Sequence, residues 1–283
     1  MGKTIAIIGA GGQMGKGFCN FFEKSGFDVT GFDTDNPIPK NITEAKSLIS
    51  AILNVEYVLL STPTKKTPEI IRLIAKEMKR DSYLIDITSQ KSKTATALGK
   101  IPNKVSQICI HTMFGPVAKG VKNQNIISVP IKDGKNELSV AKNLFPGANF
   151  VTIDSNEHVK KIATILGLTH LINIAFANIL AKDNKIQLTE KMAGTTFKAQ
   201  KIIAESILTE SPELIETIIS NPEIRRVAEE FWKDVGRLLT SAQEGNSEEI
   251  VSYIDSNKKK IAENVNLEKS YKKLTKMVGT IEK

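Results

Sequence analysis

Short apolar runs alternate with helical repeats along the first half of the chain. Runs at 4–9, 28–33, 57–61, 83–86, 107–111 and 125–130 are rich in Ile, Val or Tyr and stopped by Gly, Pro or a polar turn. Runs of this length and composition are buried strands. Between them, 15–25, 42–52 and 66–79 repeat apolar residues at helical spacing, and 94–98 is a shorter helical candidate. Strands separated by helices predict a parallel sheet covered by helices. The pattern changes after residue 152. Asp154-Ser155-Asn156-Glu157 reads as a helix N-cap with glutamate at the capping-box position. From there helical spacing dominates over 155–182, 188–210, 211–219, 222–243, 246–264 and 266–280. Breaks fall at Ser211-Pro212, Asn221-Pro222 and Glu244-Gly245-Asn246. The expected division is an α/β domain over 1–153 and an all-α domain over 154–283, with no internal repeat.

A chain of 283 residues accommodates two such domains. With 41% hydrophobic and 25% charged residues, the composition is that of an ordinary globular protein. Cys19 and Cys109 sit in apolar surroundings and read as core thiols of a reducing compartment, so a cytoplasmic protein is expected. No stretch reads as approaching the ~20 apolar residues of a membrane span. The first strand follows residues 1–4 directly, which predicts no signal peptide. The net charge of +8 raises the question of nucleic acid. The lysines, however, are spread along helices without interleaved aromatics, and the chain holds one Trp and four Tyr. A solvated basic surface, compatible with an anionic substrate and cofactor, is the expectation; nucleic acid and membrane are not expected partners.

The first strand runs into Gly9-Ala10-Gly11-Gly12-Gln13-Met14-Gly15 and then a helix. Glycines at such a turn let backbone approach a pyrophosphate, and the helix N-terminus supplies N–H donors to it. The spacing is irregular: read from Gly9 the third glycine position is Met14, and read back from Gly15 the first is Ala10. Asp33 ends the next strand, 18 residues after Gly15, where an acid accepts a hydrogen bond from an adenine ribose 2′-hydroxyl and repels a 2′-phosphate. This predicts a Rossmann-type dinucleotide-binding domain with NAD as cofactor. Ser61-Thr62-Pro63, at the end of the 57–61 strand, is expected beside the nicotinamide ribose. The remaining chemistry lies in Asp86-Ile87-Thr88-Ser89-Gln90-Lys91, in His111 before the Gly115-Pro116 turn, and in 155–182, which carries His158, Gly167, His170 and Asn173. Ser89 and His111 both follow strands, so their side chains could meet at the C-terminal edge of the sheet. His170 and Asn173 share a helix face.

These segments, in this order, resemble the prephenate dehydrogenase (TyrA) family over essentially the whole chain. Its G-G-x-G-x-M-G turn is similar to 9–15. Its D-x-x-S-x-K segment is matched by Asp86, Ser89 and Lys91, and its H-P-M-F-G-P loop by His111-Thr112-Met113-Phe114-Gly115-Pro116. Its helix with two histidines twelve apart is matched by His158 and Gly167-Leu168-Thr169-His170. The resemblance implies oxidative decarboxylation of prephenate. A loop histidine takes the C4 hydroxyl proton as hydride leaves C4 for NAD+, and loss of CO2 restores aromaticity. His111 would then be the base, Ser89 would orient it and the substrate hydroxyl, and His170 would bind substrate. His158 reads as a structural residue near a helix N-terminus. The resemblance also implies a homodimer built on the helical domain. The chain stops near residue 283 with a lysine-rich helix, so no appended regulatory or mutase domain is expected.

Two positions depart from the family. Thr112 stands where it has proline, and Lys198, in Thr195-Thr196-Phe197-Lys198-Ala199, falls where it commonly has a carboxylate-binding arginine. Lysine offers a point charge without the bidentate fork; Lys191 and Lys201 are alternative cations. Arogenate and 4-amino-4-deoxyprephenate are candidate substrates on the same scaffold. Two other readings are carried. One is a β-hydroxyacid dehydrogenase or imine reductase, which would need a lysine where His170 stands. The other is an NAD(H)-binding regulator without catalysis. No metal site is expected.

Overall fold

The structure is a computed structural model describing residues 3–116 and 120–281. It divides into two compact units, Met1–Lys161 and Ile162–Lys283.

The first unit is an eight-stranded sheet with helices on both faces. Its elements are β1 (Thr4–Ile8), α1 (Gln13–Lys24), β2 (Asp28–Phe32), β3 (Thr43–Glu44), α2 (Leu48–Ile52), β4 (Tyr57–Leu60), α3 (Thr67–Ile74), β5 (Ser82–Asp86), α4 (Ser92–Gly99), β6 (Val105–Thr112), β7 (Asn125–Ser128), α5 (Gly134–Leu144), β8 (Asn149–Thr152) and α6 (Ser155–Ile162). The strand order is β3-β2-β1-β4-β5-β6-β7-β8, parallel as far as β6. The order reverses between β1 and β4, the crevice where doubly wound sheets bind ligands. Alternation along each strand sends Ile5, Ile7, Leu59, Ile85, Ile108 and Ile110 into one core with Phe18 and Phe22 of α1 and Phe145. The Phe22 and Phe145 rings lie 5.7 Å apart, edge to face, and both side chains are fully buried. Burial of each contributes about 1.5–3 kcal/mol.

The sheet departs from the sequence expectation in three places. β7 runs antiparallel to β6, because the described part of the link 113–124 contains no helix to carry the chain back for a parallel crossover. Instead of a helix over 42–52, Thr43-Glu44 pairs with Thr30-Gly31, and a Ser47–Ser50 capping box delays α2 to Leu48. β8 is an exposed edge strand too short and polar to stand out in the sequence.

Asp154 caps α6 as expected, its Oδ1 accepting from Asn156 N at 2.8 Å and Glu157 N at 3.0 Å. The helix continues through a π-helical stretch (Ala163–Leu168) into α7 (Thr169–Ala181). The second unit goes on through α8 (Ile186–Lys191), α9 (Thr195–Ile207), α10 (Pro212–Ile219), α11 (Ile224–Gln243), α12 (Ser247–Ala262) and α13 (Leu267–Ile281). The expected single helix over 188–210 is divided ahead of α9, where Gly194 takes the N-cap position. The predicted breaks at 211, 221 and 244–246 are real; Ser211 and Asn246 cap the helices that follow. α7 packs on α9, and α11 on the π stretch. There a Cβ on Gly167 would lie 2.7 Å from Ile224 Cδ1, so glycine is required for the approach. The expectation that no stretch is long and apolar enough for a membrane span is overturned. Ser155–Ala181 passes by length and composition, and 33% of its apolar window is buried within the chain.

At the first turn the irregular glycine spacing resolves. Gly9 has φ +86°, which only glycine adopts readily. A Cβ on Gly15 would lie 1.9 Å from Gly9 O and one on Gly11 2.3 Å from Asn36 O, whereas one on Gly12 would make an ordinary 3.4 Å contact. The positions under constraint are therefore Gly9, Gly11 and Gly15. Gly15→Ala is expected to lower unfolding stability by about 1–3 kcal/mol, while Gly12→Ala stays within about 1 kcal/mol. Urea titration of both variants measures the contrast; equal losses would reject this assignment.

Candidate active site

The glycine turn forms one side of the candidate site. β1 ends in it and α1 begins from it, with no side-chain cap and no acidic residue in the first turn at Gln13, Met14 and Gly15. That leaves the helix N-terminus suited to an anion. A Cβ on Gly9 would lie 2.3 Å from Ser61 O, so the end of β4, carrying Ser61, Thr62 and Pro63, abuts the turn. Thr62 Oγ1 is 2.8 Å from Thr67 Oγ1, which ties this loop to α3. Asp33 follows β2. Its carboxylate accepts from Gly11 N at 3.0 Å, Asp35 N at 2.9 Å and Asn36 N at 2.8 Å. Partial burial pushes its pKa up, but these N–H groups outweigh it and hold Asp33 below the usual carboxylate range. Asp33 thus fastens the loop after β2 to the glycine turn, a local task that the sequence did not reveal. These residues fit a dinucleotide: a cradle that a Cβ would fill, an uncapped helix start and an ionised acid.

The second side is built where β5 and β6 end. Asp86 and Cys109 are directly paired in register, and His111 follows two residues later on the same face. β6 continues one residue past His111 to Thr112, which pairs with Ile126 where a proline would restrict the strand. Asp86 and Lys91 are both fully buried. Lys91 Nζ lies 2.8 Å from Asp86 Oδ2 and donates also to Asp86 O at 3.2 Å. Asp86 Oδ1 accepts from Thr88 N at 2.9 Å. Burial raises the Cys109 thiol well above its ordinary value, so it stays protonated. Cys19 is likewise pushed up to about 12, and both cysteines are free.

His111, 4% exposed, has its Nδ1 3.1 Å from Nε2 of His158, itself 1% exposed. The rings are 5.3 Å apart at 59°. His158, structural by its place near a helix N-terminus in the sequence, is instead brought onto the candidate base by the first turns of α6. No local spacing signals a contact between residues 47 apart. Burial, then the Lys91 ammonium, then His158 hold the His111 pKa well below its ordinary value. Burial and Lys91 outweigh an opposing Asp86 and bring His158 down to about 4. Ser89, expected to orient His111, does not hydrogen-bond it. Its Oγ is buried without a partner, as is His158 Nδ1, among the described residues. An orphaned nitrogen on the ring that meets His111, and an orphaned hydroxyl on the segment after β5, are atoms that a ligand would satisfy. The loop after His111 passes α1, with Pro116 O 3.8 Å from where a Cβ on Gly17 would lie.

In the helical unit, His170 Nδ1 lies 2.7 Å from Leu166 O and Nε2 3.3 Å from Glu210 Oε2. Burial lowers its pKa, but Glu210 and Leu166 outweigh that and raise it. The pairing with Glu210 had no sequence signal. Asn173 Oδ1 accepts from Gln200 Nε2 at 2.6 Å. Lys198 is partly buried on α9 and Lys191 is exposed on α8. Lys201 is engaged by Glu190 at 2.8 Å and Glu205 at 2.7 Å. Among the described residues no cluster of His, Cys, Asp or Glu could hold a metal.

Strand order, glycine turn and acid together define a nucleotide-binding α/β unit joined to a helical unit. The chain belongs to the prephenate dehydrogenase family. Residues 25–153 match its nucleotide-binding domain and 154–256 its dimerization domain. A probable arogenate/prephenate dehydrogenase of Methanocaldococcus jannaschii is 27% identical over 81% of this chain and 54% of its own length, so the chain spans about half of that relative. Among solved structures, prephenate dehydrogenase from A. aeolicus, in complex with hydroxyphenyl propionate and NAD+, has a TM-score of 0.73 at 22% identity, covering 93% of this chain and 98% of that one. Synechocystis arogenate dehydrogenase has a TM-score of 0.69 at 14% identity, covering 93% and 100%. These likenesses establish the fold.

The imidazole pair gives stability a definite pH dependence. Both folded pKa values lie below the unfolded value of about 6.5, so the unfolded chain binds protons that the folded one refuses. Their contribution is full above pH ~6.5 and is lost as pH falls, for His158 toward about 4. His170, with its raised pKa, acts oppositely: its contribution is present below pH ~6.5 and lost as pH rises. Between pH 6 and 5 stability should therefore fall by up to about 1.4 kcal/mol per pH unit for each imidazole of the pair. Chemical denaturation across this window is the check; a flat profile would show that the two rings are not held neutral.

Proposed function

We propose that the protein is an NAD-dependent dehydrogenase that oxidatively decarboxylates prephenate to 4-hydroxyphenylpyruvate, or acts likewise on arogenate, within tyrosine biosynthesis. The reading includes a cytoplasmic homodimer formed through the helical domain. The observation that carries it is a buried His111 held neutral against His158, in a chain of this family, with the Ser89 hydroxyl left unpartnered among the described residues. Gly9, Gly11, Gly12, Gln13, Met14 and Gly15 would receive the pyrophosphate. Asp33, ionised, would take the ribose hydroxyl and repel a 2′-phosphate.

When bound, NAD+ accepts the hydride from C4 of the substrate. His111 takes the C4 hydroxyl proton on its free nitrogen, so the C4 oxygen becomes a carbonyl as the C–H pair departs. The ring carboxylate then leaves as CO2, and its electron pair makes the ring an aromatic phenolate. A base of depressed pKa is suited to return the proton to that phenolate, and the reaction releases no net proton. Ser89 would donate to the substrate oxygen, and His170 and Lys198 would serve the carboxylates.

The test is production of reduced nicotinamide with NAD+ or NADP+ and with prephenate or arogenate. His111→Ala is expected to lower kcat by about 10²–10⁴-fold with NAD+ affinity unchanged. Wild-type turnover in that variant would remove His111 from the chemistry, and no turnover by the native protein despite NAD+ binding would favour a regulator. Lys198→Ala is expected to raise KM for either dicarboxylate by about tenfold or more, the loss of one charge-assisted hydrogen bond, with kcat little altered. An unchanged KM would leave Lys198 outside the substrate site.

A further inference from the structure

A neutral imidazole carries one proton, and the nitrogen that carries it is set by what the other nitrogen meets. For His111 to act as a base, the nitrogen facing the substrate must be bare. Its Nδ1 meets Nε2 of His158 at 3.1 Å, and among the described residues the ring is hydrogen-bonded through Nδ1 alone. Two ring nitrogens at this separation share a single proton. If His158 carries it, His111 is protonated on Nε2 and cannot accept from a hydroxyl. If His111 carries it, Nε2 is bare and His158 is protonated on Nδ1.

We propose that His158 is a positioning residue whose Nε2 accepts the His111 Nδ1–H, fixing His111 as the tautomer with a bare Nε2. This rests on the reading of His111 as the base. In this tautomer the unpartnered His158 Nδ1 is a buried N–H awaiting an acceptor. A bound substrate or water that accepts from His158 Nδ1 completes a directed chain. His158 donates to the ligand and accepts from His111, and His111 accepts from the substrate hydroxyl. Hydrogen bonds aligned in this way reinforce one another. Among the described residues the charged groups around the pair are the Lys91 ammonium and the Asp86 carboxylate, with the Cys109 thiol protonated; burial and Lys91 keep both rings neutral, as the single shared proton requires.

The test joins spectroscopy to kinetics on the full chain. Nitrogen-15 histidine spectra of the substrate-free protein should show His111 protonated on Nδ1 and bare on Nε2. His158→Leu should lose that preference and lower kcat about 10–100-fold, short of the full loss of a base, with KM and NAD+ affinity nearly unchanged. His158→Gln, whose amide oxygen can accept the same N–H, should recover most of that loss. In a His111→Ala background, His158→Leu should cost nothing further. A wild-type His111 protonated on Nε2 would overturn the proposal, as would unaltered kcat in His158→Leu while His111→Ala is inactive. If His158→Leu does not fold, the wild-type spectrum and the Gln variant decide. Wild-type turnover in His111→Ala would instead overturn the base reading itself.

Discussion

The buried ion pair between Asp86 and Lys91 is the constraint on which the chemistry-bearing half of the molecule depends. Two opposite charges with no exposure to solvent are tolerated only when their hydrogen bonds are satisfied. Here the ammonium reaches both the carboxylate and the carbonyl of Asp86, while the second carboxylate oxygen takes Thr88 N–H. Removing one partner of such a pair costs about 3–5 kcal/mol, because the other is left charged in the interior. The pair closes the segment from the end of β5 to the start of α4. It therefore determines where Ser89 is held. It also sets the electrostatics of the neighbouring strand, since the Lys91 ammonium opposes protonation of both His111 and His158.

That constraint links stability to the proposed reaction. A general base at an exposed site would have an ordinary imidazole pKa and could retain the proton it takes. Buried against another imidazole and near a fixed ammonium, His111 has little capacity to stay charged. Such a group suits chemistry in which a proton is borrowed from a hydroxyl and restored to the phenolate formed from it. The same burial raises Cys109 out of the nucleophilic range, leaving imidazole chemistry as the main resource of this sheet edge. At the other side of the crevice the economy is similar. Asp33 is kept ionised by backbone N–H groups of the loop it organises, so the carboxylate proposed to take the ribose hydroxyl is also a structural brace.

Much of this was legible along the chain because it is written at short range. Short apolar runs rich in Ile, Val or Tyr and stopped by Gly, Pro or a polar turn located six strands. Asp154 and Ser211 announced helix starts through their own N-cap bonds. The segments around Gly9, Ser89, His111 and His170 carried the family resemblance without any coordinates. Failures fell where a local pattern was outvoted by a partner distant in sequence. Residues 42–52 carry a helical pattern, yet Thr43-Glu44 is captured by β2. Ser155–Ala181 is a different case: its helical spacing holds, and the length and apolar composition that suffice for a membrane span lie in the chain itself.

By itself, then, the sequence determined the two-part organisation, the doubly wound character of the first part, the glycine turn with its acid, and the residues proposed for proton chemistry. Each of these follows from residue types and spacings within one element or its flanking turn. Tertiary structure alone decided which glycines are sterically obligatory, that β7 reverses direction, that Asp86 and Lys91 pair in the interior, and that His158 rather than Ser89 meets His111. The physical reason is common to all four. Close approach, desolvation and the sharing of a proton depend on distances between groups that the chain's covalent order leaves open, and only packing closes them.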